Sequence, residues 1–67
     1  MKELFISKNT NYLKKIGIMI NENIIKSAKN NNLPELDDLI EFSNNSGISI
    51  NDFLFVDIEQ RGVNKLI

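Results

Sequence analysis

Apolar residues recur along this chain at helical spacing. Five short helical segments can be drawn, and no stretch makes a strand with a partner. The first covers roughly 2–7, with Leu4 and Phe5 as its apolar pair. Asn9 or Thr10 is suited to cap a second helix running through Ile16, because a short side-chain oxygen satisfies free N–H groups at a helix start. Tyr12, Leu13 and Ile16 then share one face, and Gly17 is placed to stop the helix in the left-handed conformation. Asn21 caps a third segment over about 22–30, with Ile24, Ile25 and Ala28 facing inward and Asn30-Asn31-Asn32 ending it. The intervening "IGIMI" (16–20) has no second strand to pair with and is assigned to the turn.

"NLPE" (32–35) reads as a capping box, Asn32 with Glu35, with Pro34 early in the first turn of a fourth helix. Leu36, Leu39, Ile40 and Ser43 follow at the 3.6-residue period, and Asp37, Asp38 and Glu41 point to water. In "SNNSGISINDFLF" (43–55), Gly47 terminates that helix. Ser49 with Asp52 opens a fifth, and Ile48 with Phe53 forms its hydrophobic staple. The expected architecture is all-α: one compact five-helix domain over 1–67, with a core of about 2–56 and a C-terminal tail from 57.

A chain of 67 residues supports one small core and is marginal without a staple or a partner. With no Cys and no His, it lacks disulfides, thiolate metal sites and the commonest general base. Enzymatic activity is therefore not expected, and neither is a cofactor or a metal. The acids Glu35, Asp37, Asp38 and Glu41 fall near a helix start, where carboxylates stabilise the positive end of the dipole. No long apolar run or signal-peptide region is present at the start of the chain, so a cytoplasmic, soluble protein is expected. Eleven Asn residues, with many Ile and Lys, fit an AT-rich coding sequence.

Charge is more informative. The net charge of −1 conceals a split. Residues 1–32 hold six Lys against Glu3 and Glu22, whereas residues 33–67 hold Arg61 and Lys65 against seven acids. A basic half beside an acidic half points to a polyanion partner. Two short helices joined by a Gly turn over 10–30, with an apolar helix behind, fit a helix-turn-helix, whose second helix enters the DNA major groove.

Read together, "NTNYLKKIGI", "NIIKSAKNNNLPELDDLIEFSNNSGISINDFLF" and their spacing over 9–55 resemble the Cro/C1-type phage-repressor family of helix-turn-helix domains, which are lambda-repressor-like in fold. The agreement is closest at 33–55 and covers about two thirds of the chain. The resemblance implies a recognition helix at about 21–30 that offers Asn21, Glu22, Asn23, Lys26 and Ser27 to DNA bases. It also implies phosphate contacts at Lys8, Asn9, Asn11, Lys14 and Lys29. Asn can pair with adenine and Lys can donate to guanine. The function so implied is a small phage or mobile-element transcriptional regulator that binds double-stranded operator DNA as a homodimer. The dimer surface would draw on Phe53, Phe55, Val63, Leu66 and Ile67, the two Phe residues being equally eligible as core. The alternative expectation is a domain of the same fold that binds another protein, such as a repressor or a host defence enzyme, through the acidic face Asp37, Asp38 and Glu41.

Overall fold

The computed structural model describes residues 3–61 and contains, in chain order, α1 (Ile6–Lys15), α2 (Glu22–Lys29), α3 (Leu36–Ser46), α4 (Ile50–Phe55) and α5 (Ile58–Arg61). The fold is all-α among the described residues, as the apolar spacing implies. The expected tail residues Val63, Leu66 and Ile67 lie outside the described part.

The first two expected helices are one. The helix α1 runs through Asn9 and Thr10, and the Asn9 N–H donates to the Phe5 carbonyl at 2.8 Å, inside the helical ladder. Ile6, Asn9, Thr10 and Leu13 occupy one stripe at i, i+3, i+4 and i+7, and all four are buried. Asn9 and Thr10 are therefore core positions and cap nothing at the start of α1. The residue at the cap position, Phe5, has no side chain that can accept a hydrogen bond; its N–H instead donates to Leu54 O at 2.7 Å, tying the chain start to α4.

The end of α1 follows the sequence. Gly17 takes φ +93°, and the N–H groups of Gly17 and Ile18 return to the carbonyls of Lys14 and Leu13, closing the last turn. At the start of α2, Asn21 Oδ1 accepts from the Asn23 N–H at 2.6 Å, as expected for its cap. The helix ends by the same device as α1, with Asn31 at φ +55° and the Asn32 N–H donating to Ser27 O at 2.9 Å. Asn32 thus belongs to the closure of α2, and the next helix starts only at Leu36. The expected Asn32–Glu35 box is absent: Glu35 occupies the cap position of α3 without a side-chain hydrogen bond, and Pro34 precedes the helix.

The buried stripe of α3 is also displaced. Leu39 and Phe42 face the core, whereas Leu36 and Ile40 are 63% and 43% exposed. Phe42 decides the register, because its ring packs on Phe53 with centroids 4.5 Å apart and planes inclined at 41°. The corner after α3 is as expected. Gly47 adopts φ +80°, and Ser49 Oγ accepts from the Asp52 N–H at 3.1 Å to cap α4. Phe53 is fully buried and Ile48 packs against the same cluster. That burial removes Phe53 from the candidate dimer surface; Phe55 remains half-buried.

The core unites Ile6, Leu13, Ile24, Ala28, Leu39, Phe42, Phe53 and Leu54, drawn from α1 to α4. The short α5 adds Ile58, which lies in the stretch expected as tail.

Candidate functional site: the α1–α2 face

The fold keeps the charge split of the sequence. Lys14, Lys15, Lys26 and Lys29 are exposed on α1 and α2, while Glu35, Asp37 and Glu41 are exposed on or beside α3. On α2, Glu22, Asn23, Lys26 and Lys29 stand at i, i+1, i+4 and i+7, opposite the buried Ile24 and Ala28. Lys14 and Lys29 line one open groove of about 280 Å³ between the two helices, together with Ser7, Thr10, Asn11, Ile25 and Ala28. Of the expected DNA-facing residues, the structure brings Asn11, Lys14 and Lys29 together. It presents Glu22, Asn23 and Lys26 on the adjoining face of α2. Ser27 is half-buried.

Three expected contacts have other employment. Asn9 is fully buried: its Nδ2 donates to Phe53 O at 2.7 Å and Val56 O at 2.8 Å, and its Oδ1 accepts from the Ile58 N–H at 3.1 Å. It cannot reach a phosphate. Asn21 spends its oxygen on the α2 cap and donates from Nδ2 to Asp38 Oδ1 at 3.3 Å. Lys8 Nζ pairs with Asp57 Oδ2 at 2.6 Å, joining α1 to the residue before α5.

The Lys8–Asp57 hydrogen bond raises the Lys8 pKa above its ordinary 10.5 and lowers that of Asp57 below its ordinary 3.8. A lowered carboxyl pKa contributes stability that is present above the unfolded value and lost as pH falls through the folded one. A raised ammonium pKa contributes stability that is present below the unfolded value and lost as pH rises through the folded one. Melting temperatures of wild type and Asp57→Asn should therefore differ between about pH 4 and pH 10 and converge at either extreme. The gap will be small, because Lys8 is half exposed.

The connection between α1 and α2 covers residues 16–21, longer than the 3–4-residue turn of the usual helix-turn-helix. Met19 in that connection is 91% exposed. The acidic set divides as well: Asp38 and Glu41 line a groove with Met19, while Asp37 is exposed outside it. No three acidic side chains among the described residues are placed to hold a metal ion. No helix among the described residues is long and apolar enough to cross a membrane. Compared with known proteins, the chain matches no family model, no curated protein and no solved structure.

Proposed function

We propose that this protein is a small transcriptional regulator of a phage or other mobile element that binds double-stranded DNA through the α1–α2 face. The observation that carries this reading is the placement of Lys14 and Lys29 on opposite walls of one groove, with Lys15 and Lys26 exposed on the same two helices. Lys14 and Lys29, with the Asn11 amide, meet phosphate oxygens. Asn23 and Lys26, one turn apart on α2, reach base edges. Glu22 at the start of α2 would repel phosphate, which keeps the phosphate contacts to Lys14 and Lys29 in the groove. A homodimer doubles the contact set that one small face offers.

The test is fluorescence anisotropy with random-sequence duplex at low and high salt. Three lysines of one chain on phosphate (Lys14, Lys15 and Lys29) give a slope of log K against log salt near −2.7, so affinity should fall roughly 40-fold between about 50 and 200 mM salt. Binding that is absent at 50 mM, or insensitive to salt, overturns the reading.

A further inference from the structure

A second surface lies away from the lysines. The α1–α2 connection meets α3 in a groove of about 290 Å³ lined by Met19, Ile20, Asn21, Asp38, Glu41, Phe42 and Asn45. Met19 also borders a hollow of about 260 Å³ beside Gly17, Ile18, Asn45 and Ser46, and so stands in water as a ridge between two depressions. A lone exposed apolar side chain is ordinary. Here, however, the ridge adjoins an apolar floor of Ile20 and Phe42, and carboxylates stand on the rim.

Neither Asp38 nor Glu41 is ion-paired; the ion pair found among the described residues is Lys8–Asp57. The groove is at the small end for a cofactor pocket and suits one or two side chains. An arginine matches it: the aliphatic stem lies along Met19 and Phe42, and the planar head donates to the carboxylates on the rim.

We infer that the Met19 groove docks a basic, amphipathic segment of another protein, with an arginine between Asp38 and Glu41 and an apolar neighbour over Met19. Charge complementarity selects this occupant. A second copy apposed symmetrically would set Asp38 and Glu41 against themselves, and a nucleic acid would be repelled. The inference is independent of DNA binding, which uses the opposite charge on α1 and α2.

The experiment titrates the full chain into a fluorescent amphipathic peptide of about 14 residues bearing Arg and Leu at helical spacing. A matched peptide carries citrulline in place of Arg. Saturable binding is expected, with shifts of the Met19 methyl and Asn45 amide resonances. Affinity should fall at least tenfold in Asp38→Asn/Glu41→Gln and in Met19→Ser, and should be unchanged in Lys14→Ala/Lys29→Ala. Thermal melts of each variant confirm folding, since none of these side chains is in the core. Equal binding of the citrulline peptide, undiminished binding by the carboxamide variant, or shifts spread evenly over Glu35, Asp37 and Glu59 would each overturn the proposal. So would self-association that the Met19 substitution abolishes, because a second copy would then be the occupant.

Discussion

Replacing Asn9 with alanine is expected to cost about 3 kcal/mol, the largest loss from any single polar side chain in this fold. The amide spans the joint between α4 and α5: two carbonyls accept from its Nδ2, and one N–H donates to its Oδ1. Truncation leaves these three backbone groups without their partner, one in a buried and two in a partly buried setting, at roughly 1–3 kcal/mol for each group that stays dry. A chain of this length has only roughly 3–10 kcal/mol in total. The melting temperature should fall by roughly 15 °C in circular-dichroism melts. Asn9→Asp is a sharper probe. It places a carboxylate against two carbonyl oxygens, so its penalty should be worse at pH 7 than at pH 4, where protonation returns one donor. A melting temperature for Asn9→Ala within roughly 2 °C of wild type would mean that water replaces the amide at little cost.

The same residue shows where the sequence was hard to read. A short polar side chain near the start of an apolar run is the normal mark of a helix cap, and Asn9 and Thr10 carry that mark. Nothing local distinguishes it from a polar residue inside a buried stripe. The distinguishing signal was the spacing of Ile6 and Leu13 around them, visible only if polar residues are allowed on the core face. Long-range partners 44 to 49 residues away then decide the matter.

Local signals were legible wherever a backbone conformation depended on one residue. Gly17 and Gly47 adopt positive φ, and Asn21 and Ser49 accept from the backbone N–H groups expected for caps. The capping box at Asn32 failed because α3 starts only at Leu36, which puts Glu35 rather than Asn32 at the cap position. Two apolar stripes compete on α3, one through Leu36 and Ile40 and one through Leu39 and Phe42. Only the Phe53 ring, brought in by α4, selects between them. For the candidate site, exposure of Lys14, Lys26 and Lys29 followed from helix periodicity. Loss of Lys8 and Asn9 to the α5 joint did not, because tertiary contacts with Asp57 and Val56 set it.

Those competing roles sharpen what substitution should do to DNA binding. Lys14→Ala/Lys29→Ala should lower affinity for random duplex roughly 100-fold at about 50 mM salt, each phosphate contact being worth about tenfold there, and should flatten the salt slope by about 1.8. Both side chains are exposed, so melting temperatures should barely move. Asn23→Ala/Lys26→Ala should instead change which sequences are preferred, because base-edge contacts carry the discrimination. Lys8→Ala provides the internal control: its ammonium is held by Asp57, so affinity should change much less than for either groove lysine. If Lys8→Ala weakens binding as much as Lys14→Ala, DNA must be breaking the Asp57 pair and reaching around α1 toward α5. If neither groove lysine matters while salt dependence persists, phosphate must be meeting Lys15 and Lys26, and the groove between α1 and α2 is not the phosphate seat.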